Sequence, residues 1–290
     1  MSDLAAYIKK VATLTEEALE TLLPANTAYP PSIHTLMRYS TFAGGKRIRP
    51  CLLMAAYEAC DGTFGDDIPV KIGAAIEMFH TFSLIHDDLP CMDDDDFRRG
   101  KPTAHKAYNE GLAVLGGDAL CIVAFEVFAS FGRTDIIIEI ARALGTDGMI
   151  GGQVIDIESE GKKVDRATVE YIHNKKTAAL IRACVRIGAL LANAPRETLD
   201  RLSSYGTNVG LAFQVIDDIL DEESTTEQLG KDAGSDRERG KATFPSIVGM
   251  EESKKYAKQL IENAWKDIAS LGEKGEMLRE LAEFIRVRIF

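Results

Sequence analysis

Residues 68–100 read IPVKIGAAIEMFHTFSLIHDDLPCMDDDDFRRG. Ile72, Ala75, Ile76, Phe79, Ser83 and His86 recur at helical spacing, which predicts a helix over 68–88. Pro90 lacks a backbone donor, and Leu89 before it is pushed away from helical angles, so the helix stops there. The chain can then fold back and bring Asp93 near Asp87. Six aspartates fall between Asp87 and Asp96, and Arg98 and Arg99 follow at once. So many like charges at the end of an apolar helix call for a counter-charge.

Working outward, the same helical period runs through almost the whole chain and strand alternation is nearly absent. An amphipathic helix is expected over about 3–22, ended by the prolines of PANTAYPPS (24–32). Further helices are expected at about 32–42, 46–60, 103–131, 134–144, 147–160, 166–193, 196–221, 240–250, 252–270 and 274–288. Loops fall at 61–67, 89–102 and 222–239. No linker-like shift in composition divides the chain, so one all-α domain over 1–290 is expected. With 290 residues and 46% hydrophobic content, it can bury a large core. A net charge of -11 argues against general nucleic-acid binding, which wants a basic face. Five cysteines, none in a CxxC pair, point to a reducing cytosol. No signal-peptide core is visible, and no uncharged apolar run approaches the length of a membrane span.

A second acidic group lies in FQVIDDILD, where Asp217 and Asp221 are i and i+4 and share one helix face at roughly 5–6 Å. With Asp218 it mirrors Asp87, Asp88 and Asp93. Two unit charges 4 Å apart repel by ~4 kcal/mol at an effective dielectric of 20. Hard divalent cations relieve that cost, and carboxylates without a His/Cys ligand set favour Mg²⁺ over zinc. Either motif alone is more often a solvated helix end; the pair, each after an apolar run, points to metal-held polyphosphate. Asp94, Asp95 and Asp96 read as the solvated rim of the loop rather than as metal ligands.

Basic residues follow the acids in a suggestive order. GGKRIRP (44–50) sets Lys46, Arg47 and Arg49 at a helix start, where N–H groups and the dipole favour an anion. Arg98 and Arg99 suit bidentate phosphate contact. His80 lies two turns before Asp87; Lys176 and Thr177 sit in NKKTAALIRA; Gln214 precedes Asp217 by three; Lys231, Asp236 and Lys241 lie in GKDAGSDRERGKATFP.

With these motifs, and with GGDAL and GMIGGQVID, the sequence resembles the trans-polyprenyl (isoprenyl) diphosphate synthases, closest to the bacterial type of farnesyl diphosphate synthase, over nearly its whole length. The resemblance implies an all-α, single-domain helical bundle around a deep central cavity, acting as a cytoplasmic homodimer. It implies that Asp87, Asp88 and Asp93, with Asp217, Asp218 and Asp221, bind Mg²⁺, three ions per site together with substrate diphosphate. Arg98, Lys176, Thr177, Gln214, Lys231 and Lys241 match allylic diphosphate contacts. Lys46, Arg49, His80 and Arg99 match the isopentenyl diphosphate site; Gln153, Asp156 and Asp236 match pocket positions. The implied reaction ionises an allylic diphosphate, adds isopentenyl diphosphate head to tail and releases a proton. Phe82, fifth before Asp87, goes with a farnesyl product in this family; on a helical wheel Phe79 and Ser83 lie nearer the Asp87 stripe. Geranylgeranyl or geranyl diphosphate as product are alternatives within the family. The intact DDILD and the separate Lys46/Arg49/His80 set argue against a class I terpene cyclase. The presence of both motifs argues against a non-catalytic partner subunit.

Overall fold

A computed structural model describes residues 2–223 and 241–287. The fold is all-α. The chain forms two compact units, one of Met1–Cys51 and Gly65–Ile137, the other of Leu52–Phe64 and Ile138–Phe290.

In the first unit, α1 (Ser2–Leu22), α2 (Pro31–Thr41), α4 (Asp67–Asp87) and α6 (Glu110–Ser130) are the main helices, and α3 (Ile48–Ala59) begins there. Proline at the start of α2 costs nothing, since its missing N–H has no helical partner. Helix α4 buries Ile72, Ala75, Ile76 and Phe79, but also Ala74, Met78 and Phe82, so it is apolar nearly all round and sits inside the unit against α1, α2 and α6. Both α4 and α6 are long and apolar enough to cross a membrane; α4 is mostly buried in its unit, whereas α6 leaves Val114, Leu115 and Ile122 exposed. The GGDAL glycines explain how α6 comes so close. A Cβ at Gly117 would run into the His86 ring of α4, and one at Gly116 into Leu36 of α2. His86 Nε2 then meets the Val114 carbonyl at 3.0 Å.

Two departures from the sequence reading lie here. The expected helix over 103–131 is broken: α5 (Ala104–Ala107) ends at Tyr108, and Asn109 caps α6 by accepting from the Leu112 N–H at 2.8 Å. The expected loop 89–102 holds a small antiparallel hairpin, β1 (Phe97–Arg98) with β2 (Lys101–Pro102). Its turn, Arg99 and Gly100, has positive φ at both residues (53° and 73°), the geometry that matches strand twist.

In the second unit, the greater part of α7 (Thr134–Leu144) is followed by α8 (Met149–Ser159), α9 (Arg166–Ile172), α10 (Ala179–Leu191) and α11 (Arg196–Glu223). After the undescribed segment come α12 (Phe244–Val248), α13 (Met250–Ile268), a 3₁₀ stretch (Ala269–Gly275) and α14 (Glu276–Arg286). Helix α11 packs against α10, α13 and α14 through Val209, Ala212, Val215, Ile216 and Ile219, all fully buried. The Tyr205 hydroxyl donates to the Leu278 carbonyl at 2.6 Å, tying α14 to it. The expected helix 166–193 is interrupted by a π-helical turn, His173–Ala178. Such turns are rare and concentrate at functional sites. All five cysteines are free thiols.

Candidate active site

The first acidic group forms as the proline predicts. Helix α4 ends at Asp87, the Asp88 N–H still bonds to the Leu84 carbonyl, and the Asp93 N–H turns back to the Asp87 carbonyl at 2.7 Å. The three carboxylates are not equivalent. Asp87 and Asp93 are half-buried, whereas Asp88 is buried and its Oδ1 accepts from Arg98 Nε at 2.7 Å. Arg98 also reaches Asp95 at 3.0 Å. Burial pushes the Asp88 carboxyl up to about 6, with Arg98 pulling the other way. Asp88 therefore holds Arg98, whose side chain borders a pocket with Tyr39, Thr81 and Arg99.

Around His80 the unit gathers cations. Burial and then the charges of Arg49, Arg99, Arg98 and Arg47 hold its imidazolium form well out of reach, so His80 is neutral at physiological pH. Arg47 differs from its neighbours. Its side chain is fully buried, pairs with Glu77 at 3.0 Å and donates to the Thr41 carbonyl at 2.9 Å. That leaves Lys46, exposed, and Arg49, half-buried with an Nε that has no hydrogen-bond partner. The Arg99 guanidinium donates to the Gly44 carbonyl and would collide with a Cβ at Gly45, so GG of GGKRIRP lets the hairpin arginine lie on the backbone.

The second acidic group repeats the asymmetry. Asp217 is half-buried and Asp221 buried, while Asp218 has both oxygens engaged. Its Oδ1 accepts from Gln214 Nε2 at 3.0 Å; its Oδ2 accepts from the Phe244 N–H at 2.8 Å and lies 3.2 Å from His173 Nε2. Burial opposes ionisation of Asp218, but His173, the Phe244 N–H and Gln214 outweigh it and hold the carboxyl below its usual range. The Thr177 hydroxyl donates to Gln214 Oε1 at 2.7 Å, and Lys176 Nζ binds Asp156 at 2.7 Å. Lys176, Thr177, Gln214, Asp218, Asp156, His173 and Lys241 line one pocket of this unit. Lys231 and Asp236 lie outside the described residues. The Gln153 Oε1, one turn before Asp156, is buried without a partner.

Sequence reasoning missed His173 and the role of glycine in this pocket. The π turn lifts Lys176 and Thr177 into it, and Gly152 of GMIGGQVID lies against the Lys176 N–H, where any Cβ would collide with backbone. Gly210, one turn before Gln214, meets Ala178 of the same turn. The signal was in the glycines; their partners, in other helices, were not.

Below Asp87, Phe82 is nearly buried, 5.7 Å from the His86 ring and 6.4 Å from Phe79 between centroids. Phe79 is fully buried edge-on to Phe125 at 4.8 Å. Ser83 is half-buried and donates to the His80 carbonyl at 2.9 Å.

A model of the polyprenyl synthetase family matches residues 30–281. The chain is 44% identical to a geranylgeranyl diphosphate synthase of Cyanophora paradoxa, over 98% of this chain and 96% of that one. It is 44% identical to the farnesyl diphosphate synthase of Bacillus subtilis, over 89% of this chain and 90% of that one. Among solved structures, an FPP/GFPP synthase from Zymomonas mobilis superposes with a TM-score of 0.87 at 35% identity, covering 98% of this chain and 99% of that one. A geranyltransferase from Helicobacter pylori, complexed with magnesium and isoprenyl diphosphate, gives 0.80 at 31% identity, covering 98% and 97%.

Proposed function

The chain belongs to the polyprenyl synthetase family of trans-prenyltransferases, and from that membership we propose that it is a Mg²⁺-dependent synthase whose main product is farnesyl diphosphate. Residues 1–290 act as one polyprenyl synthase domain, condensing isopentenyl diphosphate with dimethylallyl or geranyl diphosphate. The observation that carries the C15 product is Phe82, held nearly buried on the last turns of α4 with fully buried Phe79 close by.

The acidic groups fit a hard cation: their donors are carboxylate oxygens, and the His173 imidazole beside them is taken up by Asp218. Asp87 and Asp93 in the first unit, and Asp217 and Asp221 in the second, are metal ligands; Asp88 and Asp218 are engaged by Arg98 and by Gln214, His173 and Phe244, and serve by fixing those neighbours. When bound, Mg²⁺, three ions per site, neutralises the diphosphate and makes it a better leaving group.

Arg98, Lys176 and Lys241 contribute fixed positive charge toward the allylic diphosphate, with Lys231 from the undescribed segment. Lys46, Arg49, Arg99 and neutral His80 bind isopentenyl diphosphate; the unsatisfied Arg49 Nε is ready to donate. The allylic C–O bond breaks heterolytically, the diphosphate leaving with the electron pair. The double bond of isopentenyl diphosphate attacks the cation, and a proton then leaves to the departed diphosphate. Thr177 and Gln214, locked to each other at 2.7 Å, present oxygen dipoles that steady the cation.

The test is incubation of the purified chain with labelled isopentenyl diphosphate, either allylic starter and Mg²⁺, with and without EDTA. A metal-dependent C15 product is expected. A C20 product keeps the reaction and discards the Phe82 reading, in favour of the activity named for the Cyanophora relative. Phe82→Ala is expected to shift the product to C20 or longer; an unchanged C15 product would move the floor to Phe79 or Ser83.

The exposed apolar residues Val114, Leu115 and Ile122 of α6 support homodimerisation. Sedimentation should find a dimer, and a fully active monomer would rule that out.

A further inference from the structure

Asp94 and Asp96, a solvated rim by sequence, stand in a different company in the structure. One carboxylate oxygen from each and a ring nitrogen of His105 all lie within 4.8 Å of one another. The two aspartates are exposed, and alone they would be no more than a loop facing water.

His105 makes the difference. It is only 8% exposed, and its Nε2 is buried without a hydrogen-bond partner, 3.9 Å from Asp94 Oδ1. Its other nitrogen fixes the tautomer. The Thr103 hydroxyl spends its one proton on the Asp95 carbonyl at 2.7 Å, so at its 3.2 Å contact with His105 Nδ1 it must accept. Nδ1 therefore carries the hydrogen and Nε2 the lone pair, aimed at the aspartates. An imidazole oriented by a bond from its second nitrogen, with the first kept dry beside two carboxylates, is how metal-binding histidines are commonly held.

We propose that Asp94, Asp96 and His105 form a site for one divalent transition cation of the Zn²⁺ class, separate from the aspartates assigned to Mg²⁺. A mixed carboxylate and imidazole set suits zinc, whereas Mg²⁺ prefers oxygen alone. Two carboxylates balance the cation's charge, and three protein ligands leave a position for water. Lys106, whose Nζ lies 2.7 Å from Asp96 Oδ1, competes with the cation. The occupied site would tie the end of the aspartate loop to α5 across the hairpin that carries Arg98 and Arg99.

The test uses the untagged full chain, stripped with chelator and free of diphosphate, titrated with Zn²⁺ against a chromophoric indicator. One equivalent is expected. His105→Gln should weaken it by at least about tenfold, and Thr103→Val by about 10- to 100-fold through loss of the orienting bond. Lys106→Met should tighten it, and Asp87→Asn should leave it unchanged. No bound equivalent, equal binding in His105→Gln, or loss on Asp87→Asn instead would overturn the proposal. Should His105→Gln misfold, Co²⁺-loaded wild type decides: a hyperfine-shifted, exchangeable imidazole N–H signal is expected, and its absence overturns the site.

Discussion

Asp217→Ala is expected to lower turnover by about 100- to 1,000-fold or more, the scale on which removing one preorganised electrostatic group acts, while leaving thermal stability near wild type. The adjacent Asp218→Ala should do the reverse in its first effect, lowering the melting temperature. Asp217 is half-buried, and α11 is held in place by Val209, Ala212, Val215, Ile216 and Ile219 rather than by its charge. Asp218 is buried, and its loss strands the Phe244 N–H, the Gln214 amide and His173 at once. Leaving a buried donor unsatisfied costs about 1–3 kcal/mol per group. Initial rates and thermal melts of the two variants read the contrast. Equal loss of stability in both, or normal turnover in Asp217→Ala, would sink the division of labour drawn between the neighbours.

Glu77→Ala is expected to destabilise the protein by about 3–5 kcal/mol, the usual cost of leaving a buried charge without its partner. Arg47 has no exposed side-chain surface, and Glu77 has almost none. Its remaining contacts are the Thr41 carbonyl and Glu16 at 3.6 Å, too few to satisfy a guanidinium whose Nε already lacks a partner. Because a typical domain is stable by only about 5–15 kcal/mol, denaturant unfolding should show the effect plainly. The double change Arg47→Met with Glu77→Leu should recover most of the loss, since an apolar pair of similar volume often replaces a buried ion pair without penalty. A Glu77→Ala variant as stable as wild type would mean that water reaches Arg47.

Much of this was readable from the chain itself, and the exceptions have physical causes. The stop at Leu89–Pro90 and the helical face of FQVIDDILD are local facts, so spacing alone predicts them. Which aspartate of each pair is buried is not local: Asp88 and Asp218 are set apart from Asp87 and Asp217 by Arg98 and Phe244, 10 and 26 residues away. The break before α6 did carry a signal, the capping Asn109. The hairpin was harder, because Arg99 at φ 53° is not a residue that turn chemistry selects. Arg47 reads like Lys46 and Arg49 until Glu77, 30 residues on, claims it.

The wide turn at His173–Ala178 has a consequence for how the chain tolerates change in length. A π turn takes up one residue more than a regular helix does over the same rise. Deleting a single residue from HNKKTA would let an ordinary helix close with α9 and α10 kept nearly in phase, because the wide turn absorbs its extra residue without turning its flanks. The change would fall on the turn itself, which carries Lys176 and Thr177, and would draw them away from Asp156 and Gln214. A chain shortened by one residue here would keep its helix content and lose its chemistry, whereas the same deletion in an exposed loop would cost neither.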